Sequence, residues 1–122
     1  MDIGAGKRLV SIPYSYEIND SPFLYTRNGT IDQFVAAIKR QFDTLYAEGA
    51  QSGRVMAICL HPYLIGVPHR IGALDKALKY ISKHKKVWKA TGSEIASHYL
   101  AQMKGAPAGK SPTKKRAARN LR

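Results

Sequence analysis

The stretch Arg54-Val55-Met56-Ala57-Ile58-Cys59-Leu60-His61-Pro62 predicts a buried strand that ends at a histidine. Residues 55–60 are all apolar, and an unalternating apolar run of this length is typical of a strand covered on both faces. Because Pro62 cannot continue a hydrogen-bond ladder, we expect His61 at the carboxyl end of this strand. Ligands bind at that end of α/β sheets, so His61 is a candidate site residue. A histidine that only terminates a strand is the alternative.

A polar loop after an earlier predicted strand is the second candidate site segment. Residues 8–14, with the sequence RLVSIPY, are mainly apolar and predict a short strand that ends at its proline. The loop that follows contains Glu17, Asn19 and Asp20, and its Asn-Asp-Ser-Pro sequence at 19–22 is typical of a turn. In a parallel sheet this loop and His61 share one rim. A turn in which Asn or Asp only satisfies backbone groups is the alternative.

Three helices are predicted between and after these strands. Thr30 and Gln33 have the spacing of a capping box, and apolar residues at helical intervals predict a helix that ends near Gly49. A second helix is predicted from near Pro68 to about residues 84–86, followed by a short strand at 87–90. A second capping box at 91–94 predicts a third helix that runs to about residue 103. The alternation of strand and helix predicts an α/β fold with parallel strands and about three β-α units.

The charge distribution separates residues 1–103 from a basic tail at 104–122. The formal net charge is +12, and the tail contributes seven Lys and Arg residues with no acidic residue. Its Gly, Ala, Pro and Ser content predicts disorder, because the segment has too little apolar surface to form a core. The tail has no aromatic residue for base stacking, so nucleic acid is an unlikely partner. A small basic nucleic-acid-binding protein, or a non-catalytic structural protein, is the alternative to an enzyme.

Cysteine content and hydropathy bear on the compartment. Cys59 is the single cysteine, which precludes an intrachain disulfide and favours a reducing, cytoplasmic location. The first residues lack the apolar core of a signal peptide, and no apolar run is long enough to span a membrane. The sequence also lacks a Gly-rich phosphate loop and a Gly-x-Ser-x-Gly nucleophile motif.

Two motifs stand out in the sequence, IPYSYEIND at 12–20 and ICLHPYLIGVPHR at 58–70. They resemble the carboxyl-terminal part of the polysaccharide deacetylase (NodB-homology) family, and the resemblance covers about residues 7–101. Within that family the motifs are most similar to the allantoinase-like and chitin deacetylase branch. The resemblance implies the carboxyl-terminal part of a distorted (β/α) barrel. It also implies hydrolysis of a non-peptide C–N bond, in an amino-sugar polymer or a small cyclic amide.

The resemblance also implies roles for individual residues. His61 matches a histidine that protonates the leaving nitrogen, and imidazole exchanges protons near neutral pH, which suits a general acid. Leu60 would line the acyl pocket. Asn19 and Asp20, with Glu17 on the same loop, match the segment that orients the substrate or the histidine. Arg70 matches a position that holds the loop or pairs with a carboxylate.

The chain also departs from the family pattern. In metal-dependent members an Asp-Asp pair and a His-x-x-x-His motif supply the base and the metal ligands, and neither motif occurs in these 122 residues. We therefore expect no metal or other cofactor in this chain, although full-length relatives could hold a divalent metal. The simplest interpretation is a carboxyl-terminal fragment that is inactive alone. Its open sheet edges would favour self-association.

Overall fold

The computed structural model describes residues 4–5 and 8–105. The chain divides into two units, Met1–Lys89 and Ala90–Arg122. The first unit contains a one-turn π-helix at Pro22–Thr26 and three α-helices: α1 at Ile31–Glu48, α2 at Pro62–Ile65 and α3 at Pro68–Ser82. The second unit contains α4 at Gly92–Gly105.

Helix α1 begins at the predicted capping box. The Thr30 hydroxyl accepts a hydrogen bond from the Gln33 backbone N–H (3.2 Å), and the Gln33 side chain accepts one from the Thr30 N–H (2.8 Å). Two N–H groups that lack partners within the helix are thereby satisfied. Gly29 precedes the box because a Cβ at this position would collide with the Phe23 ring. The predicted start of this helix is confirmed, and so is its end at the Gly49 C-cap.

The core of the first unit lies mainly between α1 and α3. Phe34 and Ile38 of α1 are completely buried, and they pack in one cluster with Leu74 and Ala77 of α3. Ile18, from the turn before the π-helix, is 1% exposed and joins the same cluster. The apolar stripe of α1 therefore forms core, as its periodicity predicts.

The other two predicted helices are also present. Helix α3 starts at Pro68 as expected and ends at Ser82, a few residues before the predicted end. Helix α4 follows a capping box in which the Glu94 carboxylate accepts hydrogen bonds from the Thr91 N–H (2.6 Å) and the Thr91 hydroxyl (2.8 Å). These two hydrogen bonds lower the pKa of Glu94.

The predicted α/β fold is wrong for the described residues, which are mainly helical and contain no sheet. The segments predicted as strands at 8–14, 55–60 and 87–90 form no regular strand. One isolated parallel bridge joins Asn19 to Cys59. A regular strand needs hydrogen bonds to a neighbour along its length, and the run at 55–60 has one such bridge, from Cys59 to Asn19 in the turn after residues 8–14. Met56 and Ile58 pack instead against the helical core. The described residues therefore do not form the expected partial (β/α) barrel, and the sheet edges proposed for self-association are not formed.

Two further expectations concern the ends of the chain and the membrane. The predicted basic tail lies outside the described residues, apart from the backbone of 104 and 105 at the end of α4, and it remains a prediction. Within the part of the chain that is described, no helix is long and apolar enough to cross a membrane.

Candidate functional site

Asp20 and His61 form a hydrogen-bonded pair, which we call the dyad. The His61 Nδ1 atom lies 2.6 Å from Asp20 Oδ1, and the His61 backbone N–H donates to Asp20 Oδ2 at 2.8 Å. The Asp20 side chain is completely buried, whereas 35% of the His61 side chain is exposed. Both oxygens of the buried Asp20 carboxylate are thus hydrogen-bonded to His61, whose side chain is partly exposed.

The single parallel bridge positions the two members of the dyad. The Asp20 N–H donates to the Cys59 carbonyl (3.0 Å), and the Cys59 N–H donates to the Ile18 carbonyl (3.1 Å). Two residues beyond Cys59, His61 precedes Pro62 at the start of α2. The His61 carbonyl accepts hydrogen bonds from the Leu64 N–H (2.9 Å) and the Ile65 N–H (3.0 Å). Proline suits the first helical position because the missing N–H would have no partner there.

Asn19 holds the turn next to the dyad. Its side-chain oxygen accepts from the Ser21 N–H at 3.2 Å, which is the turn geometry that the sequence offered as an alternative. Its amide nitrogen donates to the Tyr14 hydroxyl at 3.2 Å. A hydrogen bond with the Cys59 thiol raises the pKa of Tyr14, and partial desolvation adds to this effect. Asn19 thus joins the turn to an aromatic ring that the sequence analysis did not single out.

The remaining predicted site residues lie around this centre without contacting Asp20. Leu60 precedes His61 in the chain and is 37% exposed, and Glu17 is exposed on the turn before Asn19. The Arg70 guanidinium donates to the Leu64 carbonyl at 3.1 Å, so it joins the start of α3 to α2. A role of Arg70 in holding the loop stays a prediction.

Tyr63 contacts the histidine of the dyad and was not among the predicted site residues. Its ring centroid lies 5.6 Å from that of His61, with an interplanar angle of 67°, and the residue is 71% exposed. Its position two residues after the histidine was the signal in the sequence that could have found it.

The geometry favours a proton-transfer role for the imidazole. Because an ionised carboxylate accepts hydrogen bonds only, Asp20 favours the form of His61 that carries a proton on Nδ1. In the described part of the chain no hydrogen bond occupies His61 Nε2. This nitrogen is therefore available to give or take a proton at the exposed side of the dyad.

The described residues do not fit a metal centre. They contain no group of three or more His, Cys, Asp or Glu side chains that could hold an ion. Asp20 and His61 would supply only two metal ligands, and they are hydrogen-bonded to each other.

A separate surface groove of about 430 Å³ lies along the π-helix and α1, and Arg27 and Arg40 line it. It contains none of the predicted site residues.

One known protein is similar over most of this chain. A protein of Schizosaccharomyces pombe described as "Putative polysaccharide deacetylase" is 34% identical over 98 residues, which are 79% of this chain. The chain spans 31% of the length of that relative. No family model matches the chain, and no solved structure matches it. The likeness supports the polysaccharide deacetylase family and, at that level, a deacetylase-like hydrolase.

Proposed function

We propose that this chain supplies the proton donor of a hydrolase that removes N-acetyl groups from an amino-sugar polymer. The observation that carries the proposal is the dyad, in which a buried Asp20 fixes a partly exposed His61 through Nδ1 and leaves Nε2 available. The similarity to the S. pombe protein described as a polysaccharide deacetylase favours a polysaccharide as substrate.

The proposed step is protonation of the leaving nitrogen. Water adds to the acyl carbon, and the C–N bond breaks as His61 Nε2 delivers its proton to the departing amine. The electron pair of the broken bond remains on nitrogen, and the acyl group leaves as the carboxylic acid. Asp20 stabilises the imidazolium before the transfer, and afterwards it accepts a hydrogen bond from the proton that stays on His61 Nδ1, so it is a positioning residue. The base that activates the water would come from residues other than the dyad, and no step is assigned to a metal.

A chimera tests the proposal. The segment of the S. pombe relative that matches this chain would be replaced by the corresponding residues of this chain, and acetate release from N-acetylglucosamine oligomers would be measured. We expect an active chimera, and we expect His61→Asn to lower its rate roughly 10²–10⁴-fold, the usual contribution of a positioned acid. Asp75→Asn on α3 is the control, because that side chain is exposed in a surface ion pair.

The outcomes separate the candidate activities. Equal rates for the chimera and its His61→Asn variant would reject the assignment of the proton donor. Hydrolysis of allantoin without release of acetate would move the activity to the cyclic-amide branch. We also propose that the 122-residue chain alone releases no acetate, and turnover by that chain that depends on His61 would contradict this part.

A positioning role for Asp20 can be measured by NMR. With Asp20 present, neutral His61 should carry its proton on Nδ1. In Asp20→Asn the new amide can donate to Nδ1, which would favour the tautomer with the proton on Nε2. The nitrogen shifts of His61 distinguish the two tautomers, and an unchanged tautomer in the variant would contradict this role.

A further inference from the structure

The positive charge of residues 1–103 is concentrated in one segment. Residues 76–89, which we call the basic segment, contain six lysines and no acidic residue. The other residues of 1–103 contain seven basic and eight acidic residues, so they have almost no net charge. All six lysines of the basic segment are exposed. A concentration of one charge in an otherwise balanced protein is typical of a site for a polyanion.

Three of these lysines lie on one stripe of α3. Lys76, Lys79 and Lys83, the last at the C-cap, are spaced three and four residues apart, so helical geometry places them on the same face. The opposite face of α3 is buried in the core cluster. Of the six lysines, only Lys79 is in an ion pair within the described residues, with the exposed Asp75 at 2.7 Å. Most of the charge of the basic segment is therefore uncompensated.

The chain after α3 carries the other three lysines together with the single tryptophan of the protein. Lys86 and Lys89 flank Trp88 in sequence, and Trp88 is 57% exposed. The Tyr46 hydroxyl of α1 donates to the Lys85 carbonyl at 3.1 Å, which holds this part of the chain against α1. Lys86 has a φ of 61°, in the left-handed region that glycine adopts without strain. A lysine in this conformation costs backbone energy, which points to a use for its charge.

We propose that the basic segment binds single-stranded nucleic acid without sequence preference, and that a base stacks on Trp88. Lysine is a compact charge on a flexible stem, which suits phosphate contacts that carry no sequence information. The unpaired bases of a single strand can pack on an aromatic face whatever their identity. The expectation against nucleic acid rests on the tail, and the basic segment differs from the tail in having an exposed aromatic ring.

A phospholipid surface fits the basic segment less well. Peripheral membrane segments combine basic residues with several apolar side chains that enter the lipid. Within residues 83–89 one large apolar side chain is exposed, that of Trp88, and the neighbouring Val87 is half-buried. Leu78, the other exposed large apolar residue of the basic segment, lies off the lysine stripe by helical geometry. One ring is enough to stack on a base, but it provides little apolar surface for insertion into lipid.

The fluorescence of Trp88 tests the proposal, because no other tryptophan contributes to the signal. The 122-residue chain would be titrated with a thymidine oligonucleotide of about ten nucleotides. We expect saturable quenching, since a stacked base quenches the emission of indole. The logarithm of the association constant should fall with the logarithm of the salt concentration, with a slope of about −0.7 for each phosphate contact. The triple variant Lys83→Gln, Lys85→Gln and Lys86→Gln should reduce the magnitude of that slope by about 2.

Matched variants separate the basic segment from the tail. Lys114→Gln, Lys115→Gln and Arg116→Gln together remove the same charge from the tail, and they should weaken binding less than the triple variant does. Trp88→Ala, followed by the anisotropy of a labelled oligonucleotide, should raise the Kd about 5- to 150-fold, and Trp88→Phe should raise it less because an aromatic face remains. Tyr25→Ala is the aromatic control, because Tyr25 is a 61% exposed residue of the π-helix.

Lys86→Gly separates binding from folding. Glycine relieves the cost of the left-handed backbone, so this variant should be at least as stable in urea as the parent chain. It should nevertheless bind the oligonucleotide more weakly, because one phosphate contact is lost. Far-UV circular dichroism confirms that each variant is folded.

Three results would overturn the proposal. They are the absence of saturable quenching, an affinity of Trp88→Ala equal to that of the parent chain, and equal weakening by the tail variant and the triple variant. A blue shift of the Trp88 emission with phosphatidylserine vesicles, without binding of the oligonucleotide, would also overturn it and would assign the basic segment to a membrane surface.

Discussion

Removing the Asp20 carboxylate should destabilise the fold, because it leaves two buried contacts without an acceptor. In Asp20→Ala, the His61 backbone N–H and the His61 Nδ1 atom both lose partners, which lie at 2.8 and 2.6 Å in the parent protein. The carboxylate is completely buried, so water cannot replace it without opening the segment around Ile18 and Cys59.

The expected magnitude follows from these two contacts. A hydrogen bond to a charged group contributes about 1.5–3 kcal/mol, and a buried group left unsatisfied costs a similar amount. Two such contacts predict a loss of about 3–6 kcal/mol from the free energy of unfolding. The free energy of unfolding of a small domain is only about 5–15 kcal/mol in total, so the Asp20→Ala variant should be barely stable. Asp20→Asn keeps one acceptor oxygen and should cost about 1–2 kcal/mol.

Urea unfolding at neutral pH, followed by far-UV circular dichroism, measures these losses. Asp75→Ala is the control, since Asp75 is 53% exposed and its ion pair with Lys79 should contribute no more than about 0.5 kcal/mol. A loss below about 1 kcal/mol for Asp20→Ala would refute the reasoning, because it would mean that the buried contacts contribute no more than surface ones.

Three other predictions concern α4, the α1–α3 contact and the core. Because the pKa of Glu94 is lowered, its carboxylate stabilises α4 fully above the ordinary glutamate pKa, and this stabilisation is lost as pH falls through the lowered value. Helix content measured against pH should therefore fall in that range in the parent chain, and this fall should be absent in Glu94→Gln. A hydrogen bond to the Asp43 carboxylate raises the pKa of Tyr80, so the contribution of this bond to stability is complete below the ordinary tyrosine pKa and is lost as pH rises through the raised value. The ionisation of Tyr80 is followed as the difference in tyrosinate absorbance between a chain with Tyr80 and its Tyr80→Phe variant. This ionisation should occur at lower pH in Asp43→Ala than in the parent chain. Phe34→Ala, at a completely buried position, should lower the free energy of unfolding in urea by about 3–5 kcal/mol, and a loss like that of an exposed position would contradict the assignment of this core.

Much of the candidate site could be predicted from residue types and turn chemistry. Asp20 and His61 were both singled out, and the structure brings them into contact across 41 residues of chain. The reason given for their meeting, a shared rim of a parallel sheet, was wrong: a single bridge between Asn19 and Cys59 is enough to bring them together. Tyr14 was missed because its contact with Asn19 depends on how the turn folds, whereas Tyr63 could have been found from its position two residues after His61.

The sequence by itself determined the helices α1, α3 and α4, because capping boxes, proline at a first helical position and apolar periodicity act within a few residues of chain. It could not determine whether the apolar runs at 8–14 and 55–60 would become strands. A strand is stabilised by hydrogen bonds to neighbours that are often distant in sequence, so the same run can pair in a ladder or pack singly against helices. Only the tertiary structure decided that the run at 55–60 makes a bridge from Cys59 to Asn19, in the turn after residues 8–14, and that this bridge places a buried carboxylate against His61.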